Sequence, residues 1–268
     1  MLEVERSQIH PDIKPKNTSP FVNQSKNWDN KEHFDIPEEL VKGIKDHLLW
    51  DQPSRIQSVA IPYIVKQDEE TKEFDNLIAQ AKNGAGKTGA FVIGSLLRID
   101  PTIKKLQVVA IGHTRELVNQ TAEVYKKAVA AAPQYSICNL LDAYDRNAQV
   151  IVSTLGSLNK LFSGREKVDL SEMRVFILDE ADDFFMDKDR ESELMKFHTT
   201  LQKLGKSVQY ILFSATYDKL ISEKISKLVK EANQINLKVE QLKLENIQQF
   251  YVKCNKGQKI DFVKQIYD

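Results

Sequence analysis

The chain's 268 residues carry 38 Lys and Arg against 38 Asp and Glu, a formal net charge of zero. That length holds one large domain or two small ones with a substantial core, and the charge balance excludes nucleic-acid binding driven by overall basicity while leaving a local basic face open. Cys138 and Cys254 lack metal-ligand spacing and read as reduced thiols of a cytosolic or nuclear protein, no apolar run is long enough to span a bilayer, and Met1–Glu5 has neither the basic start nor the apolar core of a secretion signal.

Residues 1–27 are polar and carry Pro11, Pro15 and Pro20, which reads as an extension with little regular structure. Ordered structure is expected to begin between Trp28 and Phe34. Pro37 suits a first helical turn, and Leu40, Val41, Ile44 and Leu48 recur at helical spacing, predicting a helix over Pro37–Leu49. Beyond it, β-rich runs (Asn76–Gln80, Leu106–Ile111, Gln149–Ser153, Arg174–Leu178, Val208–Phe213, Gln234–Leu237) alternate with helical patterns (Gly86–Arg98, Thr114–Ala131, Gly156–Phe162, Arg190–Leu204, Asp218–Val229). Several of these strands are continuous apolar runs, which predicts burial on both faces. The expected fold is therefore α/β, a mostly parallel sheet with helices on both faces and ligands at the carboxyl ends of the strands. A further strand at 246–254 and a helix over Gln258–Tyr267 read as a linker and the opening unit of a second domain, with 28–245 as the first; a terminal hairpin packed on the first domain is the alternative.

The most informative segment is Ala81-Lys82-Asn83-Gly84-Ala85-Gly86-Lys87-Thr88, between a strand and a helix. Strand, small-residue loop, Gly-Lys-Thr and helix is the order of a phosphate-binding loop. Gly84 and Gly86 let backbone N–H groups turn inward around Ala85, and the helix start adds the positive end of its dipole. Lys87 can reach the β- and γ-phosphates, and the Thr88 hydroxyl can ligate Mg²⁺. The loop's usual first glycine is Ala81 here. A glycine-rich turn that binds nothing is the plain alternative, against which stands a lysine where packing favours an apolar or capping residue.

The run Val175–Leu178 delivers Asp179-Glu180-Ala181-Asp182. Asp179 would hold Mg²⁺ through water and Glu180 would polarise the attacking water; a set of acidic helix caps is the alternative. The hydroxyls of Ser214 and Thr216, after another buried run, can hydrogen-bond that cluster or cap the next helix. Gln57 offers a donor and an acceptor that match the edge of adenine, with Trp28 or Phe34 as the ring that stacks on the base. Thr114 with Arg115, and Thr154 with Gly156, open helices after strands, where each can take a backbone phosphate or simply cap its helix. The five histidines, His10, His33, His47, His113 and His198, form no ligand pattern.

In this order, Pro53-Ser54-Arg55-Ile56-Gln57, Ala81–Thr88, Thr114-Arg115-Glu116-Leu117, Asp179-Glu180-Ala181-Asp182 and Ser214-Ala215-Thr216 resemble the first RecA-like domain of the DEAD-box RNA helicases, over about Trp28 to Val252. Val59–Pro62 and Ile235–Val252 are most similar to the subfamily that works in mRNA export at the cytoplasmic face of the nuclear pore; translation-initiation-type members share much of the pattern. The resemblance implies ATP and Mg²⁺ as cofactors. Gln57 and an upstream aromatic would be at the adenine, with Lys87, Thr88, Asp179 and Glu180 at phosphate, metal and water. Ser214 and Thr216 would link nucleotide state to RNA, and Thr114, Arg115, Thr154 and Gly156 would contact the RNA backbone. It further implies a monomer working on single-stranded RNA or mRNP with an export activator and a nucleoporin, in cytoplasm and nucleus and without a membrane. Hydrolysis would need arginines from the second domain.

Departures fall on the RNA side. The family's Pro-Thr-Arg-Glu-Leu-Ala is His113-Thr114-Arg115-Glu116-Leu117-Val118, its Thr-Pro-Gly-Arg is Thr154-Leu155-Gly156-Ser157, and its Gly-Gly turn has no counterpart near Tyr135–Ala148. A nucleotide-dependent module that docks a regulator, and a P-loop ATPase acting on DNA, are the competing functions.

Overall fold

The structure, a computed structural model, describes residues 27–164, 168–217, 219–229 and 231–236 with Asn255, Gly257, Ile260 and Lys264. The expected extension at 1–26 and nearly all of the expected second-domain unit at 246–268 lie outside the described residues.

Among the described residues seven strands form one sheet: β1 (Asn76–Gln80), β2 (Val108–Ile111), β3 (Ile137–Asn139), β4 (Val150–Ser153), β5 (Val175–Leu178), β6 (Gln209–Ser214) and β7 (Ala232–Asn236). Their order is β3-β4-β2-β5-β6-β1-β7, and every pairing is parallel. The helices are α1 (Glu38–Lys42), which runs on as a π-helical turn over Gly43–His47, then α2 (Arg55–Val65), α3 (Lys87–Leu96), α4 (Arg115–Ala128), α5 (Leu155–Ser163), α6 (Ala181–Met186), α7 (Lys188–Gln202) and α8 (Lys219–Leu228).

Successive strand residues point to opposite faces, and here they enter two separate cores. Leu77, Ala79, Val108, Ala110, Ile177 and Phe213 pack with Ile61 of α2, Phe91 of α3 and Tyr125 of α4. Ile78, Val109, Ile111, Phe176, Leu178 and Leu212 pack with Leu158 of α5, Phe184 of α6, Phe197 of α7 and Ile225 of α8. This is why the strands read as continuous apolar runs, and it bears out the expected α/β layers.

Three elements were not read from the sequence. β3 is a three-residue edge strand, too short for periodicity to register. α6 is a single turn and a half wedged after the acidic tetrad. α2 contains Pro62, which argues against a helix interior. The fold compensates from outside the helix. Pro62 has no N–H for the Ser58 carbonyl four residues back, and the His33 imidazole approaches that oxygen at 2.9 Å, donating from Nε2. His33 is edge-on to Phe34, and Phe34 packs on Trp28 with ring centroids 5.5 Å apart. The segment before α1 therefore acts as a clamp on α2.

Backbones meet closely where the π-helical turn crosses the end of α4. A Cβ on Gly43 would overlap the Ala128 carbonyl oxygen. Gly43→Ala is expected to cost about 1–3 kcal/mol of stability by overpacking; a urea midpoint equal to that of the native chain would contradict this packing.

Candidate active site

Sheet order decides what meets what. β5, β6 and β1 are consecutive, so the residues that leave their carboxyl ends share one edge of the sheet. The pairing extends past the strands, because the Ala81 N–H donates to the Ser214 carbonyl and the Asp179 N–H to the Ile111 carbonyl, each at 3.1 Å.

From β1 the chain enters the Ala81–Thr88 loop. Gly84 and Gly86 have φ of 80° and 95°, left-handed values that glycine adopts without steric cost. Gly86 is the N-cap of α3, and a Cβ there would also come 2.5 Å from the Ser54 hydroxyl. Ala85 is half-buried between the glycines, and Thr88 is half-buried in the first turn of α3. Lys87 is only 7 % exposed, and its ammonium donates to Asn83 Oδ1 at 2.9 Å.

From β5 comes Asp179, 5 % exposed. Burial pushes its carboxyl up to about 6; the Lys87 charge pulls it back down, and Glu180 and Asp182 push it up again. A carboxylate withdrawn from water and faced by too little positive charge has room for a cation. Glu180 has φ 54° and ψ 54° and is the N-cap of α6. A left-handed backbone at a non-glycine residue costs on the order of 1–3 kcal/mol. The Glu180 N–H donates to Asp179 Oδ1 at 3.0 Å, and Glu180 Oε2 lies 3.1 Å from His113 Nδ1.

From β6 come Ser214 and Thr216, which divide their work. The Thr216 hydroxyl donates to Asp182 at 2.6 Å. Ser214 does not reach the acidic cluster: its hydroxyl is buried and closes a turn, donating to the Thr216 carbonyl at 2.7 Å and accepting from the Thr216 N–H at 3.2 Å. The expected link from strand end to acid tetrad is thus made by one hydroxyl.

Gln57 sits beside the loop. Its Oε1 accepts from the Ser54 N–H at 2.6 Å, its Nε2 donates to the Gly86 carbonyl at 3.2 Å, and its own N–H completes a capping box with Ser54. The amide thereby ties the start of α2 to the phosphate loop. The stacking role expected for Trp28 or Phe34 needs correction. Trp28 is 1 % and Phe34 3 % exposed, and the Trp28 indole N–H donates to the Trp50 carbonyl at 3.0 Å. Both rings are consumed by the clamp on α2 and offer no open face to a base. The ring that the fold brings beside Gln57 is Trp50: a Cβ on Gly89 would collide with Gln57 Nε2 and come 2.7 Å from the Trp50 ring.

On the other half of the sheet, β2 and β4 are neighbours, and their ends carry the remaining candidates. Thr114 caps α4, its hydroxyl accepting from the Leu117 N–H at 3.1 Å, and Arg115 is exposed beside it. Thr154 caps α5, accepting from the Ser157 N–H at 3.3 Å and donating to the Ser157 hydroxyl at 3.2 Å. A Cβ on Gly156 would meet nothing within 4 Å, so the fold does not need a glycine there. Three residues in or against the site escaped sequence reading: Asn83, Trp50 and His113. His113 carried a signal in replacing the proline of the motif it resembles. The expectation that the histidines form no ligand pattern is corrected for it: His113, Glu180 and Asp183 bring donor atoms within 4.8 Å of one another.

A glycine loop ending in a buried lysine, beside a buried acidic strand end on a doubly covered parallel sheet, defines a RecA-like P-loop domain. The chain belongs to the DEAD/DEAH box helicase family, whose model matches residues 54–224. It is 34 % identical over 241 residues to the ATP-dependent RNA helicase DBP5 of Candida albicans, covering 88 % of this chain and 43 % of that protein. The structure of S. cerevisiae Dbp5 bound to RNA and ADP BeF3 superposes with a TM-score of 0.77 at 29 % identity, covering 91 % of this chain and 60 % of that one. A complex of a single-residue variant of S. cerevisiae Dbp5 with Nup159, a Gle1 variant, IP6 and ADP gives 0.69 at 30 %, covering 87 % and 60 %. The chain spans about half the length of the curated relatives it matches.

The raised Asp179 value sets a pH dependence. Because its folded value lies above the ordinary carboxylate value, the folded state binds this proton more tightly than the unfolded chain does. The penalty is absent below about pH 4, grows as pH rises through about 6 and is complete above it. Asp179→Asn, which resembles the protonated form, is expected to stabilise the nucleotide-free chain at pH 8 by up to ~3 kcal/mol and by progressively less as the pH falls toward 4.5. Urea melts at several pH values measure this; a gain independent of pH would contradict it.

Proposed function

We propose that this chain is the ATP-binding half of a DEAD-box RNA helicase, which couples ATP binding and hydrolysis to RNA clamping, local unwinding or mRNP remodelling. Support comes above all from the meeting of the Lys87 loop and the Asp179 carboxylate at the carboxyl ends of β1 and β5, on either side of β6. Mg·ATP fits this donor set. The loop N–H groups from Gly84 to Thr88 and the Lys87 ammonium bind phosphate, Thr88 and Asp179 hold Mg²⁺, Glu180 orients water, and Gln57 reads the adenine edge. Bound Mg²⁺ supplies charge neutralisation at the phosphates. Thr114, Arg115, Thr154 and Gly156 take the RNA backbone, and the Thr216–Asp182 bond passes nucleotide state between the halves. The likeness to Dbp5 supports single-stranded RNA or mRNP as substrate, an mRNA-export activator and a nucleoporin as partners, and a place in cytoplasm and nucleus at the pore's cytoplasmic face. We place the first domain at 28–245, with 246–268 as a linker and the opening of a second.

One observation favours a rival. Ser157 stands where the resembled motif has arginine, and it is spent on the Thr154 cap. That weakens the RNA side and suits a nucleotide-dependent module that docks a regulator. Retained function in a Glu180→Gln protein would favour the rival.

Titration of the chain with a fluorescent ADP in Mg²⁺ tests the main reading. Binding is expected, and Lys87→Ala is expected to weaken it roughly ten- to a hundredfold, the value of a charge-assisted hydrogen bond, with the circular dichroism spectrum unchanged. Absence of binding, or equal binding by Lys87→Ala, would sink the reading. ATP turnover by this chain alone is expected to stay slow with RNA present, since the resemblance assigns transition-state arginines to the second domain. Strong RNA-stimulated turnover would contradict that.

A further inference from the structure

His113 is placed by the sheet itself. β2 and β5 pair with Ile111 opposite Leu178, so the residues two places beyond, His113 and Glu180, leave the sheet side by side. His113 Nδ1 lies 3.1 Å from Glu180 Oε2, and Nε2 lies 3.8 Å from Asp183 Oδ2. The ring meets Phe184 edge-on, with centroids 6.4 Å apart. Nδ1 is enclosed, and the short approach to Glu180 is out of line for a hydrogen bond, which leaves this nitrogen without a partner. A buried polar atom in that condition costs about 1–3 kcal/mol, and a small turn of the Glu180 carboxylate relieves it. The Glu180 backbone is held in its left-handed conformation, so the side chain carries the freedom.

We propose that His113 is a positioning residue for Glu180, deepening the reading given under Proposed function and resting on it. The Nδ1–H holds one carboxylate oxygen and leaves the other to orient the attacking water. Asp183, on the Nε2 side, and the Phe184 ring fix the imidazole. A single cation does not explain the group as well, because the two carboxylates face different ring nitrogens. His113 also directly precedes Thr114, the cap of α4, so the aim of Glu180 is tied to the helix start assigned to RNA. Loose aim at the reacting centre is expensive: a displacement of about 1 Å can cost a hundredfold in rate.

The test uses the 268-residue chain in excess over labelled ATP, which follows a single turnover however slow, with and without a uridine oligonucleotide. His113→Ala is expected to lower the hydrolysis rate constant about tenfold or more, with Mg·ADP affinity within about twofold. His113→Asn, which keeps a donor near the Nδ1 position, is expected to recover most of the rate. In ¹⁵N spectra the His113 ring signals are expected to move on Glu180→Gln. A His113→Ala rate within twofold of the native chain, equal losses in the Ala and Asn variants, or affinity falling in step with rate would overturn the proposal. So would ring signals indifferent to Glu180→Gln, which decide the matter even where hydrolysis escapes detection. A native chain that binds no nucleotide would defeat the function reading instead, while the ring signals still report on the His113–Glu180 contact.

Discussion

Two opposite charges withdrawn from water, Lys87 and Asp179, are the constraint on which the rest of this structure depends. Neither would be stable in an apolar interior alone. They are tolerable because a parallel sheet ends all its strands on one side and sets β1 and β5 on either side of β6. The backbone geometry around them is specialised to the same end. Gly84 and Gly86 are left-handed on one side and Glu180 on the other. The domain holds a concentrated, strained polar edge on two well-packed apolar cores.

The order of strands also divides labour. β1, β6 and β5 carry the groups suited to nucleotide, and β2 and β4 carry the helix starts suited to an anionic backbone. Contacts across these strand ends are few and specific. Thr216 bonds Asp182 beside β6. Gln57 bonds the Gly86 carbonyl from the far side of the loop. At the seam between β2 and β5, His113 faces Glu180. Each links residues that lie far apart in the sequence.

Much of this was legible in the amino-acid order, because local spacing encodes it. The loop at Ala81–Thr88 and the acid tetrad are contiguous, and strands buried on both faces announce themselves as apolar runs. What spacing does not encode is where an aromatic ring goes. Trp28 and Phe34 look available to a base, yet the missing N–H of Pro62 recruits His33 to α2 and draws both rings into the core. Trp50 gave no sign, and His113 only its replacement of a proline, for a related reason: their neighbours Gly89 and Glu180 are distant in sequence, and only helix packing or strand register brings them together. β3, three residues at an edge, is defined by its partner rather than by its own pattern.

The central claim is that the Lys87 loop and the Asp179–Glu180 strand end form one Mg·nucleotide pocket. A crystal structure of the chain grown with Mg²⁺, ADP and BeF3 tests it most directly. The account predicts the phosphates against the Gly84–Thr88 N–H groups and the metal between Thr88 and Asp179. Nucleotide bound elsewhere, or a metal remote from Asp179, would contradict it.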